Sequence, residues 1–383
     1  MNILFYYDIT VNPEHGGIAQ VTLMIGEALR KKGYGVYYLS KRKTSKRVTD
    51  WQFYLPNISK KLDEEYYRDF VQQNNIHAVI NQNGTTPYSN NAIVWSYKLE
   101  IPVLTVIHSS LYGLYGLSNH LNKLGPILKK FKLHNLLQSM MYRLFKLKYG
   151  RFYWEQIKLS AFVIVLSEKF VPEYSFFSGV TNQNLLKKVI SIPNPIDVSG
   201  PKYTLSEKCN EILYVGRLSQ EKQVGLLLDI WSQVQNKFQD WKLTIVGDGS
   251  EKTNLQRKVQ NYNIKNVYFE GFQNPKDYYR RASIFCLTSA FEGFGIVLTE
   301  AMAYGTVPIA FNSYANACEI IDNGENGFLI TPFSVDEYVE RLSFLILNSD
   351  IRNRMSDAAY EKSKDFSIEK ISASWINLLK SLQ

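Results

Sequence analysis

The sequence predicts an α/β protein built of two doubly wound, parallel-sheet domains, and three observations carry that expectation. The chain has 383 residues, long for a single domain when usual domains hold roughly 100–200. Each half alternates strand-like apolar runs with stretches of helical spacing, the pattern of a parallel sheet covered on both faces. Between the halves lies Ile192–Pro201, IPNPIDVSGP, whose prolines and glycine favour turns and extended backbone over either regular element.

In chain order, Asn2–Tyr7 is an apolar run, Gly16 and Gly17 sit in a loop, and Ile18–Lys32 carries an amphipathic helical pattern stopped by Gly33. Further strands are expected at Val36–Leu39, Ala78–Ile80, Val103–Ile107 and Phe162–Leu166. The second half reads the same way. Strands are expected at Glu211–Val215, Lys242–Val246, Val267–Glu270, Ile284–Leu287 and Val307–Ala310. Helices fill the gaps at Val224–Phe238, Glu251–Gln260, Lys276–Ala282 and Val297–Ala303. Two more helices follow at Asp336–Leu347 and Asp350–Tyr360. Ile368–Leu382, apolar at Ile371, Trp375, Leu378, Leu379 and Leu382, reads as a closing helix. The expected divisions are therefore 1–195, 196–365 and a closing helix over 366–383.

Composition narrows the function classes. With 45% hydrophobic and 21% charged residues, the chain is an ordinary globular protein rather than a disordered or fibrous one. Cys209, Cys286 and Cys318 are odd in number and lack ligand spacing, so neither a disulfide framework nor a zinc site is expected, and a reducing compartment fits. The start, MNILFYYDIT, has no basic n-region and is interrupted by Asp8, so it reads as a strand and not a signal peptide. No run reaches the roughly 18 apolar residues of a spanning helix. The net charge of +9 is concentrated: His120–Ser160 holds nine Lys/Arg against Glu155 alone.

The densest chemical signal is SAFEGFGIVLTEAMAYGTVPIA, Ser289–Ala310, with Glu292 and Glu300 placed around a helix start. A helix beginning near Gly295–Ile296 would offer free N–H groups and a positive dipole end to an anion. A phosphate on the amides of Phe294, Gly295, Ile296 and Val297, a ribose diol on Glu300 and a sugar at Glu292 would account for a nucleotide-sugar. Upstream, EILYVGRLSQEKQV ends a strand at Gly216 and delivers Arg217 and Lys222. A planar fork and a mobile point charge suit a departing diphosphate without a metal. Gly16 and Gly17 follow the first strand, where backbone can approach phosphate or sugar closely. His108, in VLTVIHSS, stands where a buried strand runs out into a loop, the place at which open α/β sheets hold ligand groups. The dinucleotide fingerprint G-x-G-x-x-G and the P-loop pattern G-x-x-x-x-G-K-[ST] are both missing, which counts against dehydrogenases and P-loop proteins.

With these motifs in hand the chain resembles glycosyltransferase family 4, retaining enzymes of the GT-B fold. The resemblance runs the whole length, through the glycines at Gly16–Gly17, IPNPID at Ile192–Asp197, VGRLSQEK at Val215–Lys222, VGDG at Val246–Gly249, EGFGIVLTEAMAYGTVPIA at Glu292–Ala310 and EIIDNGENGFLI at Glu319–Ile330. It implies two Rossmann-like domains facing a cleft, the first binding the acceptor, the second the donor, with the last helix crossing back. It implies further that Arg217 and Lys222 are the diphosphate pair, Glu300 the ribose ligand, Glu292 the donor-sugar contact and His108 a substrate contact. Where the family has N-G-I-D, this chain has Pro195 after Asn194, which stiffens the hinge. The resemblance favours UDP over GDP, and it implies a hexose or N-acetylhexosamine donor and no cofactor or metal beyond that nucleotide-sugar substrate.

The basic segment 120–160 interleaves Lys123, Lys129, Lys130, Lys132, Arg143, Lys146 and Lys148 with apolar residues such as Leu136, Met140, Leu144 and Leu147. Basic amphipathic helices lie in membrane interfaces, so an anionic membrane surface or the pyrophosphate of a lipid-linked saccharide is the expected partner, and nucleic acid is not. The alternative is a helical pair packed on the first domain with solvated lysines. The expectation is a cytoplasmic enzyme, peripheral at the membrane, of bacterial-type capsule or O-antigen polysaccharide synthesis. Rival readings are a transferase for a soluble acceptor, a nucleotide-sugar epimerase, and a catalytically silent glycan- or lipid-binding scaffold.

Overall fold

The computed structural model describes residues 1–382 apart from 47–48, 86–89, 116–133 and 199–202. Two units divide the chain: Met1–Pro195 with Ile368–Gln383, and Ile196–Ser367. The first division falls inside the proline-rich stretch, and the second lies just ahead of the closing helix. Within the second unit the residues that lead in and out run side by side, Ile196 bridging Ser367 and donating its N–H to Phe366 O at 2.8 Å.

The first unit runs β1 (Asn2–Ile9), α1 (Gly17–Lys31), β2 (Gly35–Arg42), β3 (Gln52–Tyr54), α2 (Lys60–Gln73), β4 (Ile76–Asn81), α3 (Asn91–Lys98), β5 (Val103–Ile107), α4 (Leu111–Tyr115), α5 (His134–Leu159), β6 (Phe162–Val165), α6 (Phe170–Ser178), α7 (Gln183–Leu186) and β7 (Val189–Ser191). Its sheet has the order β3-β2-β1-β4-β5-β6-β7, every pair parallel. Helices on both faces explain why β5 is buried at all five positions. One face is packed by an aromatic cluster in which Tyr6 and Tyr67 meet edge to face at 6.3 Å and the Tyr67 hydroxyl pairs with Ser96 Oγ at 2.6 Å.

The second unit runs β8 (Cys209–Val215), α8 (Val224–Val234), β9 (Lys242–Val246), α9 (Lys252–Asn261), β10 (Val267–Gly271), α10 (Lys276–Arg281), β11 (Ala282–Leu287), α11 (Ile296–Ala303), β12 (Val307–Phe311), α12 (Ala317–Ile320), β13 (Phe328–Ile330), α13 (Val335–Leu347) and α14 (Ser349–Ser363). The sheet order β10-β9-β8-β11-β12-β13, again all parallel, repeats the winding of the first unit. Helix α15 (Ile368–Lys380) then packs on α1 in the first unit.

Both sheets reverse their winding once, between β1 and β4 and between β8 and β11. Crevices beyond the carboxyl ends of such strand pairs are where doubly wound sheets bind ligands. Three strands were not expected from the sequence: β3, β7 and β13. Each has three residues, too few for a period-2 pattern to declare itself.

Candidate functional site

Three loops of the second unit meet at its winding reversal. The loop after β8 is locked to the neighbouring VGDG loop by backbone contact: Leu218 N–H donates to Asp248 O at 2.9 Å, and Glu251 N–H returns to Leu218 O at 2.9 Å. A Cβ on Gly247 would lie 1.9 Å from Gly216 O, and one on Gly249 2.3 Å from Leu218 O, so these glycines are required for the two loops to touch. The loop after β8 is also tied to the loop after β11. Ala290 N–H donates to Glu221 O at 2.7 Å, and Thr288 Oγ1 bonds Lys222 O and Gln223 O at 3.2 and 3.1 Å.

These ties bring Lys222 and Glu292 together. Lys222 Nζ donates to both carboxylate oxygens of Glu292 at 2.6 and 2.7 Å, and Ser289 Oγ adds a third bond to Oε1 at 2.7 Å. Glu292 is 8% exposed, so the pair is largely withdrawn from water. Breaking a pair in such a place by removing one partner leaves the other charge uncompensated. Arg217 stands nearer the rim, its guanidinium exposed and without an ion pair among the described residues.

Helix α11 begins where the loop after β11 ends. Gly295, at φ +81°, occupies the cap position, no side chain caps the helix, and the first turn holds no acid. Its first amides therefore present an anion site. Ile296 and Val297 are half-buried there, while Phe294 is buried with its ring 5.6 Å from that of Phe366. Glu300, on the second turn, accepts a hydrogen bond from the Tyr279 hydroxyl at 3.0 Å. Burial, followed by the neighbouring Glu300, pushes the Tyr279 phenol well above its ordinary pKa, so it stays a donor. Tyr279, which orients Glu300, belongs to no motif, and Ser289 opens the Ser289–Ala310 motif without its bond to Glu292 being legible there; only their place in the fold reveals these roles.

In the first unit the corresponding edge combines a buried neutral imidazole with the Asp8–Arg42 ion pair, 2.5 Å, at the solvent-facing ends of β1 and β2. His108, one residue past β5, is 7% exposed, with Nε2 2.5 Å from Gln82 Oε1 and no partner for Nδ1 among the described residues. Burial pushes its pKa down to about 4, so the imidazole is neutral and, with Nε2–H donating to Gln82, Nδ1 is an acceptor. The loop that carries it is clamped from α6. Ser110 Oγ donates to both oxygens of Glu173 at 3.1 and 2.8 Å, and Tyr112 N–H donates to Oε2 at 3.1 Å. Gly16 and Gly17 open α1 in full exposure, and nothing lies within 4 Å of where a Cβ on Gly16 would be.

The basic segment departs from its expectation. Lys123, Lys129, Lys130 and Lys132 lie outside the described residues. Arg143, Lys146 and Lys148 lie on α5, which does not divide into a polar and an apolar face. Its inner side over this stretch is aromatic, with Phe145 and Tyr149 stacked on Tyr115 at 4.7 and 5.4 Å, while Ile157 is buried near its end. Leu136, Met140, Leu144 and Leu147 form one exposed stripe, Leu147 reaching 83%. Lys146 turns back over the Phe176 ring at 4.9 Å, a cation–π contact, and Lys148 over Tyr149 at 5.0 Å. Among the described residues no helix is long and apolar enough to cross a membrane, and no cluster of three His, Cys, Asp or Glu is placed to hold a metal ion.

The family model for glycosyl transferases group 1 matches residues 197–362, nearly the whole second unit. Over its whole length the chain superimposes on Anabaena Alr3699/HepE, crystallised with UDP, with a TM-score of 0.76 at 17% identity and 100% coverage of both chains. The fold is GT-B. The amylovoran biosynthesis glycosyltransferase AmsD of Erwinia amylovora is 35% identical over 45% of this chain and 49% of its own. A Campylobacter jejuni α-1,4-N-acetyl-D-galactosaminyltransferase, named for a diNAcBac-PP-undecaprenol acceptor, is 27% identical over 46% and 50%. The chain thus spans about half the length of the curated relatives it matches. Residues on the GT-B frame here include Arg217, Lys222, Glu292 and Glu300, all in the segment that the family model covers.

Proposed function

We propose that the protein is a retaining glycosyltransferase of family 4 that moves a hexose or N-acetylhexosamine from a nucleoside diphosphate, UDP first, to a saccharide acceptor. The observation that carries this reading is the Lys222–Glu292 pair at the carboxyl edge of β8 and β11, beside the uncapped start of α11. Anion, ribose and sugar then each have a partner. The diphosphate takes the α11 amides with Arg217 and Lys222, the ribose diol takes Glu300, and the transferred sugar takes Glu292.

In the transfer, the bond from the anomeric carbon to the phosphate oxygen breaks and a bond from that carbon to the acceptor hydroxyl oxygen forms on the same face. The acceptor proton goes to the departing phosphate oxygen. Charge grows on that phosphate as the bond breaks, so the two cations act where stabilisation is specific to the transition state. Glu292 orients the sugar and does not attack it, unlike the second carboxylate of retaining hydrolases. The cations take the place that a divalent ion would fill, and the reaction is read as metal-independent.

The acceptor is read as a lipid-linked saccharide of a bacterial-type capsule or O-antigen pathway, met at the inner face of the cell membrane. The exposed aliphatic stripe of α5 with Arg143 beside it, and the undecaprenol-linked acceptor in the Campylobacter relative's name, support that reading.

Thermal unfolding with UDP, GDP, ADP and CDP, each with and without chelator, tests the donor site. A ligand at 100 times its dissociation constant adds about 2.7 kcal/mol. The expected result is a chelator-insensitive shift with one diphosphate, much reduced in Glu300→Ala. No shift with any of the four overturns the reading.

A further inference from the structure

The loop after β12 lays three side chains against the turn that starts α11. Ser313 Oγ donates to Ser289 O at 2.7 Å, and Asn316 Nδ2 donates to Gly293 O at 3.1 Å. Tyr314 stands between these two bolts. It is 7% exposed, and its hydroxyl has no hydrogen-bond partner among the described residues. A Cβ on Gly295 would lie 3.0 Å from that hydroxyl oxygen. The phenol therefore ends at the cap position of α11, where a Ser or Asp side chain would ordinarily serve the first amides.

Two unmet donor sets thus converge on one point. The α11 amides have no capping side chain and no acid in the first turn, and the Tyr314 hydroxyl beside them has no partner among the described residues. Buried polar groups are paired in nearly all cases, so an orphan kept in a rigid, bolted loop calls for a ligand. The α11 amides and the phenol O–H can both donate to one ligand atom, and the positive end of the helix favours an anion there. Burial first, then the nearby Glu292 and Cys318, pushes the Tyr314 phenol well above its ordinary pKa, so it remains protonated at any working pH.

We infer that the Tyr314 hydroxyl donates a hydrogen bond to the distal, sugar-bearing phosphate of the nucleotide-sugar, completing the anion site begun by the α11 amides. This rests on the donor-site reading above and adds a residue to it. Gly295 matters for the same reason, since a side chain there would stand between the hydroxyl and the phosphate. The Asn316 bolt fixes the loop, and its side-chain carbonyl oxygen, also without a partner among the described residues, is buried in the same loop.

Tyr314→Phe tests this because it removes one oxygen that makes no hydrogen bond among the described residues. Titration calorimetry with UDP and with UMP, beside ligand-free thermal unfolding, gives three readouts. The expected result is unfolding at the wild-type temperature or above, UDP binding weakened about tenfold, the scale of one hydrogen bond to a charged group, and UMP binding unchanged. Equal UDP affinity in variant and wild type overturns the inference while leaving the donor site standing. An equal loss for UMP and UDP overturns the assignment to the distal phosphate. A wild type that binds none of UDP, GDP, ADP or CDP overturns the donor-site reading and this inference together.

Discussion

The two units wind their sheets in the same order yet furnish the reversal point with opposite chemistry. In the second unit that edge carries full charges held in fixed partnerships, Lys222 on Glu292 and Glu300 on Tyr279. In the first the buried groups are a neutral imidazole and the amides of Asn81, Gln82 and Asn83 at the end of β4, while its charges, Asp8 and Arg42, pair with each other toward solvent. Identical topology therefore supplies only the crevice, and the side chains choose the ligand. Paired charges suit a diphosphate whose arrival can exchange one partner for another, and neutral donors and acceptors suit hydroxyl groups.

The largest test of this contrast is Lys222→Ala. Removing the cation strips transition-state stabilisation from the leaving phosphate and leaves Glu292 in a poorly hydrated place with Ser289 alone. Turnover should fall more than tenfold, toward the roughly hundredfold seen when a single oxyanion donor is lost, and steady-state kinetics on nucleotide-sugar measures it. Unchanged turnover would remove Lys222 from the mechanism.

A second test asks whether the pair is exchanged on donor binding. In the free protein Lys222 is already engaged by both oxygens of Glu292, so a diphosphate must compete with the carboxylate for it. Glu292→Gln keeps the shape and removes the competing charge. Affinity for UDP alone should rise by about threefold to tenfold, the scale of a partly buried ion pair, while turnover falls because the sugar loses a charged acceptor and meets an amide NH2 in place of one oxygen. Calorimetry in parallel with kinetics separates the two, and weaker UDP binding in the variant would show that Glu292 supports Lys222 instead of restraining it.

How far the sequence reached depended on length and locality. Strands of four residues or more and the helices between them declared themselves by periodicity, and Val103–Ile107 and Lys242–Val246 have the same bounds in sequence and structure. The three-residue edge strands had no period to show. Glu292, Glu300, Arg217 and Lys222 were legible because each sits in a dense local motif at a strand or helix end. Tyr279 and Gln82 were not, because what marks them is a partner brought from elsewhere in the chain, and the motif segments that hold Ser289 and Tyr314 did not show what those two side chains do. Helix α5 differs for another reason: its apolar residues were read as one face, whereas Phe145, Tyr149 and Tyr153 turn inward and Leu136, Met140, Leu144 and Leu147 lie on an exposed stripe.

The smallest expected effect belongs to the neutral edge, and it is read in pH. Burial holds His108 at about 4 in the folded protein, against roughly 6.5 in an unfolded chain. Between those values the unfolded chain binds a proton that the folded one does not, so His108 contributes stability above about pH 6.5 that is lost as pH falls toward 4. His108→Gln removes that term. Its unfolding temperature should therefore decline less than that of wild type from pH 7 to pH 4, whatever the variant costs at neutral pH. Turnover should show no limb from this imidazole above about pH 5, since it acts as a neutral acceptor, and the variant should shift KM by a few fold with the pH profile unchanged. A limb near pH 6–7 that vanishes in His108→Gln would mean that an imidazolium forms at this edge during turnover, and the contrast between a charged donor edge and a neutral one would then fail.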